Sequence, residues 1–283
     1  IVLTVSGALL PRCPVPQVVL CQNPWCYRPI VHRDWKDRLK ARLQRVGYSK
    51  AFRNAAMMIY ISEHLRDLYR SDNQGVREAP SRIAYVGLDQ LTFDSAVKYV
   101  DLPRRPLSIL SVSAMAAWKG AHTLIDALAI LRSRDIPATL NLVGPWPDDA
   151  YRRRIDEQII RLNLRPHVEI LGRVSDEELQ RQYASAMVYA LPSHCESFGI
   201  PAAEAMAYGT PVVSTTCCAI SEICEPAGIF GPAEDPESTA NAIEKLLSDD
   251  SLWTKKSQAG RERAAELTWE NCFQAFKEIE HLV

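Results

Sequence analysis

Two carboxylates flank a glycine and a proline in the segment 194–213, HCESFGIPAAEAMAYGTPVV. Glu196 precedes the turn, and Glu204 lies inside the helix that we predict to begin near Pro201. Proline suits the first helical turn because its missing N–H would be unpaired there, and Gly199 lets a ligand approach the backbone closely. The start of this helix is therefore a predicted anion site, formed by the backbone N–H groups of Phe198, Gly199 and Ile200.

The two carboxylates could hold a sugar beside that anion. The side chain of Glu204 leans back toward the start of the helix, where it can reach hydroxyls, as acidic residues do with ribose in dinucleotide sites. Glu196 in the loop can accept hydrogen bonds from a second sugar. Taken singly, Glu196 could be a solvated loop residue and Glu204 a partner of the helix dipole. Their combination with the glycine, the proline and a preceding strand predicts a phosphate and sugar site.

Apolar runs alternate with helix-period segments along most of the chain. We predict strands within residues 1–6, 17–22, 57–62, 83–87, 107–113, 138–144, 168–172, 187–193 and 211–215. A helix is predicted between two of them, with one face formed by Leu124, Ala127, Leu128 and Leu131. Near-continuous apolar strands separated by helices indicate parallel sheets covered on both faces. The predicted fold class is α/β, with doubly wound, Rossmann-like domains.

A proline- and arginine-rich segment, residues 99–110, predicts a linker between two domains. The first domain, residues 1–102, contains about four predicted strands, fewer than a complete doubly wound domain. The second domain covers residues 103–266. Residues 267–283 are predicted to form a C-terminal helix that returns to the first domain. The chain starts directly in a strand pattern, so we expect it to be a piece of a longer protein.

The composition is that of a soluble globular protein. Of its 283 residues, 47% are hydrophobic and 24% charged. The net charge of −1 gives no global field for nucleic acid. The longest apolar run, residues 55–61, is too short to span a bilayer.

The eight cysteines predict no disulfide framework and no metal site. They include no Cys-x2-Cys pair, and free thiols in a reducing cytosol are the better interpretation. We therefore predict a cytoplasmic location. His194 beside Cys195 has no acidic partner near it in the sequence, so we interpret it as an ordinary loop histidine.

A basic segment, residues 32–53, carries eight lysines and arginines against two aspartates. Its helical periodicity places Trp35, Leu39, Leu43 and Val46 close to one face. Such a helix can lie on anionic lipid, which predicts a peripheral contact with the inner face of a membrane. The alternative, which we favour, is a surface helix whose apolar stripe packs on its own sheet.

The segment 196–213 closely resembles the Glu-x7-Glu signature of retaining GT-B glycosyltransferases of family 4, the glycosyl transferases group 1. The segments LVGPW (142–146), VEILGRVSDEELQRQYASAMVYALPS (168–193) and TWE (268–270) agree with it. The likeness extends from about Arg53 to Glu270 and is strongest after the linker. It implies a GT-B fold of two Rossmann-like domains, the first incomplete here.

The resemblance also implies an activity. A sugar would move, with retention of configuration, from a nucleotide-diphosphate donor to a glycan or lipid-linked glycan, as in polysaccharide biosynthesis. No metal or other cofactor is implied, in keeping with the absence of an Asp-x-Asp motif from the sequence. Nucleic acid is not an implied partner.

The family's site residues can be placed on this sequence. Glu204 would bind the ribose, and Glu196 would contact the transferred sugar. The diphosphate would lie on the backbone of Phe198, Gly199 and Ile200, and the nucleobase against the loop formed by Gly172, Arg173 and Val174. Lys119 would grip the diphosphate and stabilise the leaving group, so that the implied catalytic residues are Lys119 and Glu196.

Lys119 also draws attention without the resemblance, because it lies at the start of a predicted helix. A cation there is unfavourable unless an anion is bound. The alternative is a surface lysine whose stem covers apolar surface.

The sequence departs from the family pattern in places. An arginine commonly stands five residues before the lysine, where this chain has Ala114, and Arg173 is the candidate replacement. Losing one such donor costs about 3 kcal/mol of transition-state stabilisation. The alternatives are therefore a catalytically impaired nucleotide-sugar binding module or a sugar-nucleotide epimerase on the same fold.

The first domain offers four further cleft candidates. Gly87 and Asp89 resemble a Gly-x-Asp turn that family members carry before the linker. Gln22 and Asn23 stand where many relatives have a histidine facing the sugar.

Overall fold

The computed structural model describes residues 1–32, 34–277 and 279. The chain divides into two compact units. Unit 1 contains residues 1–87 and 195–198 together with the described part of 267–283, and unit 2 contains residues 88–194 and 199–266. These limits differ from the predicted domains, because residues 88–102 cluster with unit 2 and residues 195–198 with unit 1.

The strands are β1 (Val2–Thr4), β2 (Gln17–Cys21), β3 (Met57–Tyr60), β4 (Ser81–Ile83), β5 (Ser108–Val112), β6 (Thr139–Val143), β7 (Val168–Gly172), β8 (Val188–Leu191), β9 (Val212–Thr215) and β10 (Gly228–Gly231). The helices are α1 (Trp35–Asn54), α2 (Glu63–Asp72), α3 (Gln90–Lys98), α4 (Ala121–Ser133), α5 (Asp149–Arg161), α6 (Asp176–Ser185), α7 (Ile200–Ala207), α8 (Ile220–Ile223), α9 (Pro236–Ser248), α10 (Asp250–Glu266) and α11 (Trp269–Lys277). Within the described residues, none of these helices combines the length and apolar character that crossing a bilayer needs.

Unit 1 contains a parallel sheet in the order β1-β2-β3-β4. The helix α11 packs on it through Cys272 and Phe276, against a core that includes Met57 and Ile59. Strand β4 begins and ends earlier than the predicted residues 83–87. The reason is that β3 ends at Tyr60, which pairs with Ile83, so the chain beyond has no neighbouring strand to continue the ladder.

Unit 2 contains a parallel sheet in the order β10-β9-β8-β5-β6-β7. The chain runs outward from β5 to β7 and then returns to β8, on the other side of β5. The order therefore reverses between β5 and β8, which is where doubly wound sheets bind ligands. Strand β10 was not predicted, because its sequence GIFG has two glycines in four residues and carries little strand signal.

Helices cover both faces of this sheet. Helix α4 packs with α5 and α9, whereas α7 packs with α6 and α10. The predicted apolar face of α4 is confirmed, since its side chains are fully buried at Leu124, Ala127, Leu128 and Leu131. Helix α3, in residues predicted to belong to the first domain, packs on α6 and α7, which explains why residues 88–102 cluster with unit 2.

Helix α1 of unit 1 corrects the preferred interpretation of the basic segment. The predicted stripe does not pack on the sheet: the exposed fractions are 68% for Trp35, 50% for Leu39, 67% for Leu43 and 69% for Val46. A second apolar set packs instead, formed by Ala41, Tyr48, Ala51 and Phe52. Arg33, which belongs to the predicted segment 32–53, lies outside the described residues.

Candidate functional site

The loops that leave β5 and β8 are joined in unit 2. The carbonyl oxygen of Trp118 accepts hydrogen bonds from the N–H of His194 (2.8 Å) and the hydroxyl of Ser193 (3.1 Å). Gly120 has a φ of 76°, and a Cβ there would come within 2.2 Å of the Pro192 carbonyl oxygen. The turn that carries Lys119 is therefore packed directly on the loop leaving β8, at the point where the strand order reverses.

A glycine begins the predicted anion-binding helix. Gly199 is the N-cap of α7, with a φ of 91°, and a Cβ there would lie 2.4 Å from the Cγ1 atom of Ile220. Both the conformation and the space require glycine. Helix α7 begins at Ile200 with Pro201 in its first turn, as predicted. The first N–H groups of a helix have no intrahelical acceptor and lie at the positive end of its dipole.

The other end of α7 is closed by a Schellman motif. The N–H of Gly209 bonds to the carbonyl of Met206 (2.8 Å), and the N–H of Thr210 bonds to that of Ala205 (2.9 Å). Helix α7 therefore ends just before Gly209, and backbone contacts define both of its ends.

Two arginines bind the C-terminal end of α7. The guanidinium groups of Arg104 and Arg261 both donate to the carbonyl of Tyr208, which is favourable at the negative end of a helix. Burial, and then the neighbouring Arg261, lower the pKa of Arg104 to about 10. The sequence indicated only a linker at Arg104, and nothing in it distinguished this half-buried arginine from the adjacent Arg105.

Glu204 faces a cavity of about 200 Å³ that is lined by polar and apolar side chains of α3, α6 and α7. The hydroxyl of Tyr183 donates to its Oε2 at 2.8 Å. Burial raises the pKa of Glu204, the Tyr183 hydrogen bond lowers it, and the charge of Asp89, which lines the same cavity, raises it further. Among residues 1–32, 34–277 and 279 no second donor to this carboxylate is found. A half-buried carboxylate with so few donors is suited to accept hydrogen bonds from the hydroxyls of a ligand.

The loop predicted to face the nucleobase lies at the same edge of the sheet. Gly172 has a φ of 64°, and its carbonyl accepts from the N–H of Gly144 at 2.7 Å. Gly144 in turn lies so close to Ser113 that a Cβ would come within 1.9 Å of the Ser113 carbonyl oxygen. The loops after β5, β6 and β7 are thus in contact, and they hold Gly172, Arg173 and Val174 at the carboxyl ends of the strands.

The order of the strands tests whether Arg173 could replace the arginine that this chain lacks at Ala114. Arg173 is exposed and follows β7, which is separated from β5 by β6. Strands lie roughly 4.8 Å apart, so Arg173 starts about 10 Å across the sheet from the strand that leads to Ala114 and Lys119. This position argues against Arg173 as a replacement for the missing arginine.

His194 has an acidic partner that the sequence did not suggest. Its Nε2 atom lies 3.5 Å from Oε1 of Glu234, in the loop after β10. His194 itself lies in the loop that leaves β8, in keeping with its interpretation as a loop histidine. The neighbouring His122 bonds through Nδ1 to the hydroxyl of Tyr151 at 2.9 Å. Burial, chiefly, lowers the pKa of His122. These groups lie beside the Trp118 turn, and only the tertiary structure brings them together.

Glu196 and Phe198 belong to the short segment of unit 1. The carbonyl of Ser197, between them, accepts a hydrogen bond from the hydroxyl of Ser62 at 2.8 Å. The Phe198 ring is buried, with its centroid 6.3 Å from that of Tyr85. These contacts fix the loop that carries Glu196, whose side chain is half-buried.

The remaining cleft candidates of unit 1 have different surroundings. Gln22 lines a largely apolar cavity of about 520 Å³ together with Leu20 and Phe273. The Oδ1 atom of Asn23 accepts from the N–H of Trp25 at 2.8 Å and stabilises a local turn. A Cβ on Gly87 would come within 2.3 Å of the backbone nitrogen of Trp269, so this glycine allows α11 to approach.

The predicted site residues are thus divided between the two units. In unit 2, the residues at the carboxyl edge of the sheet are Lys119, Gly172, Arg173, Val174, Gly199, Ile200 and Glu204, with Asp89 in the cavity of Glu204. In unit 1, Glu196 and Phe198 share a loop, and Gln22, Asn23 and Gly87 lie elsewhere in that unit. The roles of all these residues stay predictions. The described residues include no group of three or more His, Cys, Asp or Glu side chains that could hold a metal ion.

Comparison with known proteins identifies related sequences. The model of the family "Glycosyl transferases group 1" matches residues 96–265, more than half of the chain. The D-inositol 3-phosphate glycosyltransferase of Corynebacterium urealyticum is 31% identical over 192 residues, which are 66% of this chain and 45% of the relative. The O-antigen chain mannosyltransferase B of Escherichia coli is 30% identical over 167 residues, 58% of this chain and 42% of the relative. The chain spans about half the length of the curated relatives it matches.

Solved structures agree on the fold. Sucrose-phosphate synthase from Thermosynechococcus elongatus matches 96% of this chain and 69% of its own, with a TM-score of 0.78 and 26% identity. Anabaena Alr3699/HepE in complex with UDP-glucose matches 94% of this chain and 72% of its own, with a TM-score of 0.75 and 23% identity. The predicted α/β fold class, with Rossmann-like domains of the GT-B type, is confirmed.

Proposed function

Because the chain belongs to the glycosyl transferases group 1, we propose that it transfers a sugar from a nucleotide-diphosphate sugar, with retention of configuration, as a member of family 4. The acceptor is a glycan or lipid-linked glycan, and the reaction serves polysaccharide biosynthesis. Support comes from two similar proteins, an O-antigen chain mannosyltransferase and a protein solved in complex with UDP-glucose. We propose a cytoplasmic location and a mechanism without a metal ion.

The observation that carries the proposal is the packing of the Lys119 turn on the loop leaving β8. The hydrogen bonds from His194 and Ser193 to Trp118 place this turn beside the strand whose loop continues toward α7. A lysine and a helix N-terminus at one crevice form a site for a diphosphate, since both supply positive charge without a metal. The same charges stabilise the diphosphate as it leaves.

Glu204 extends this site to the ribose. Its carboxylate lies in α7, one turn from Gly199, and receives a hydrogen bond only from Tyr183 among the described residues. Two neighbouring hydroxyls on a ribose would supply the missing donors. The main chain of Gly172, Arg173 and Val174 would lie against the base, and Glu196 would orient the transferred sugar.

The proposed transfer needs no protein nucleophile. The bond between the anomeric carbon and the phosphate oxygen breaks, and its electron pair stays on the diphosphate, held by Lys119 and the start of α7. The acceptor hydroxyl attacks the same face of the sugar and gives its proton to the departing phosphate oxygen. This course retains the configuration and leaves every atom and charge accounted for.

Ala114 supports one alternative, a binding module with impaired turnover. The carbon side chain of Ala114 offers no donor to the diphosphate, and the position of Arg173 speaks against a replacement. Loss of one such donor lowers the rate about a hundredfold or more. Donor binding and donor turnover are therefore tested separately.

Donor binding is tested by thermal unfolding with UDP, GDP and ADP and their sugars. A nucleotide at a hundred times its Kd should add about 2.7 kcal/mol to the free energy of unfolding. We expect one base to stabilise the chain and Glu204→Ala to remove that effect. Glu157→Ala, an exposed glutamate of α5, is the matched control and should keep it. If Glu204→Ala responds like the control, the assignment of the ribose to this cavity is wrong.

Turnover is tested by hydrolysis of the sugar nucleotide identified in that way, with the products separated so that epimerisation would also be seen. A transferase should release the free nucleotide slowly without acceptor, and Lys119→Ala should lower this rate about a hundredfold. An inactive chain that gains hydrolysis through Ala114→Arg would be the impaired module. A donor recovered as its epimer would identify the epimerase instead.

A further inference from the structure

Helix α1 has two apolar faces, and only one of them is used by the fold. Ala41, Tyr48, Ala51 and Phe52 are buried in unit 1. At 100° per residue they centre on the side opposite to a second set, which we call the outer stripe, formed by Trp35, Leu39, Leu43 and Val46. The helix is therefore anchored by one side while the opposite side faces outward.

The outer stripe is continuous rather than scattered. Its side chains are half to two-thirds exposed, and from Trp35 to Val46 they extend about 16 Å along the helix. Single exposed apolar residues are ordinary, whereas a contiguous strip bordered by polar groups marks an interaction surface.

Positive charge borders the outer stripe on both sides. Lys36 and Lys40 are exposed along one edge, and Arg38 and Arg42 along the other. Beyond the stripe, the same face continues through Lys50 and Arg53. Across the whole helix, seven lysines and arginines face one acidic residue, Asp37. Three of these cations also make contacts within the chain: Arg45 pairs with Asp72, Lys40 lies over the Trp25 ring, and Arg53 donates to the carbonyl of Ser49.

We propose that α1 binds the surface of an anionic lipid bilayer. The outer stripe enters the boundary between headgroups and acyl chains, and the flanking lysines and arginines contact lipid phosphates. Charge selects this occupant among the candidates. A second copy of the chain would bring an identical basic face and be repelled, and a nucleic acid would leave the apolar stripe without a partner.

Vesicle flotation tests the proposal directly. The chain is mixed with vesicles of phosphatidylcholine alone, or of equal parts phosphatidylcholine and phosphatidylglycerol, at low and high salt. We expect binding to the anionic vesicles, weakened by salt, because the attraction of basic residues to the membrane is screened within a Debye length. Equal binding to both vesicle types, or binding to neither, overturns the proposal.

The apolar contribution is measured with Leu39→Gln/Leu43→Gln. Both side chains are exposed, so the folded chain should remain, while vesicle affinity falls about tenfold for each leucine removed from the bilayer. The control is Val97→Gln/Ile160→Gln, which removes exposed apolar side chains from α3 and α5 and should leave binding unchanged. An equal loss in both double variants would show that the outer stripe is not the contact.

The charge contribution is measured with Arg38→Glu/Arg42→Glu. Each arginine near an anionic surface contributes about fivefold in affinity, so reversal should cost more than its mere removal. Arg153→Glu/Arg161→Glu, two exposed arginines of α5, gives the same change in net charge at another place. Equal losses here would indicate attraction by net charge alone and overturn a specific role for α1.

Two further measurements separate the possible failures. Analytical ultracentrifugation without lipid detects a second copy on the outer stripe: dimers that dissociate in Leu39→Gln/Leu43→Gln would replace the membrane proposal. Thermal unfolding with the nucleotide confirms that each variant keeps its donor site, since α1 carries no residue proposed to bind the donor. A variant that loses vesicle binding but keeps nucleotide binding has lost only the membrane contact of α1. A chain that binds vesicles but no nucleotide would contradict the proposed function and leave the membrane proposal standing.

Discussion

Helices α7 and α1 are both partly buried, but they differ in which part of the helix is left open to a ligand. Helix α7 buries five of its eight residues, including Ala203 and Met206, and offers a ligand mainly its first turn and the carboxylate of Glu204. Helix α1 buries one side and exposes an apolar stripe along the other. A site at the end of a helix needs the rest of the helix to be held, whereas a site along its side needs only the opposite side to be anchored.

The two helices also differ in the residue that caps their N-terminus. Helix α7 starts at a left-handed Gly199 and ends in a Schellman motif that two arginines support. Helix α1 starts at Asp34, whose side chain accepts from the N–H of Asp37 at 2.9 Å. An aspartate cap satisfies the first N–H groups of a helix. In α7 the N–H groups of Ala202 and Ala203 bond to the carbonyl of Gly199 at 2.9 and 3.1 Å. The glycine cap has no side chain that could accept from the N–H of Ile200, which is the first-turn donor that an anion would use.

The largest difference between the two helices is expected when a glycine in or beside each of them is replaced by alanine. Gly199→Ala should destabilise the chain by about 3 kcal/mol, because it adds a side chain at a positive φ and against Ile220. Gly47→Ala, inside α1, meets only the Cβ of Ala8 at an ordinary 3.7 Å and should stabilise by about 0.5–1 kcal/mol. Urea unfolding of both variants measures the two effects.

The opposite signs are the essential result. Two changes of similar size and sign would show that Gly199 is not locked by its surroundings, and the argument for a preformed anion site would lose its basis.

A smaller effect is expected at Glu204, where function and stability conflict. Burial raises the pKa of this carboxyl, so its ionised form costs stability near neutral pH. Glu204→Gln should therefore stabilise the chain without ligand at pH 7 and abolish stabilisation by the nucleotide. The gain should shrink as the pH falls through the raised pKa toward the ordinary glutamate range, because the folded chain then takes up the proton and the cost disappears.

Stability curves for Glu204→Gln against pH, with and without nucleotide, measure both effects. Glu157→Gln on α5 gives the behaviour of an exposed glutamate, with little change in either. A gain at Glu204 that grew on acidification would contradict a raised pKa.

The smallest effect is expected on the outer stripe. Leu43→Ala should change the free energy of unfolding by less than about 0.5 kcal/mol, because the side chain is already mostly in water. Met206→Ala in α7, where the side chain is fully buried, should cost about 2–5 kcal/mol. Urea unfolding compares the pair. A large loss at Leu43 would mean that the stripe serves the fold, and the reason for a membrane surface would disappear.

Much of unit 2 could be predicted because local chemistry and packing agree there. Ser175 caps α6 by accepting from the N–H of Glu178, and Asp148 caps α5, each from the position just before its helix. The glycine–proline start of α7 and its glycine end are equally local. Strands buried on both faces carry long apolar runs, which are hard to mistake when turn residues bound them.

The features that escaped prediction depend on groups distant in the chain. Arg104 anchors the end of α7 from a segment that resembled a linker, and Glu234 reaches His194 from the loop after β10. Periodicity identified the outer stripe of α1, but it did not show that the opposite set, which includes Ala41 and Tyr48, is the one buried in unit 1. That choice depends on the volume and shape of the neighbouring core, which the helix's own sequence does not contain.

The sequence by itself determined the α/β class, the family and the helix start that an anion would need, because these depend on residue types at short, fixed spacings. The tertiary structure decided which groups surround that start. The sheet order places β5 beside β8, so the Lys119 turn meets the loop leaving β8, and it places Arg173 two strands away from Ala114. Spacing along a chain fixes local geometry, whereas proximity across a sheet follows from strand order, which is set by the packing of the whole unit.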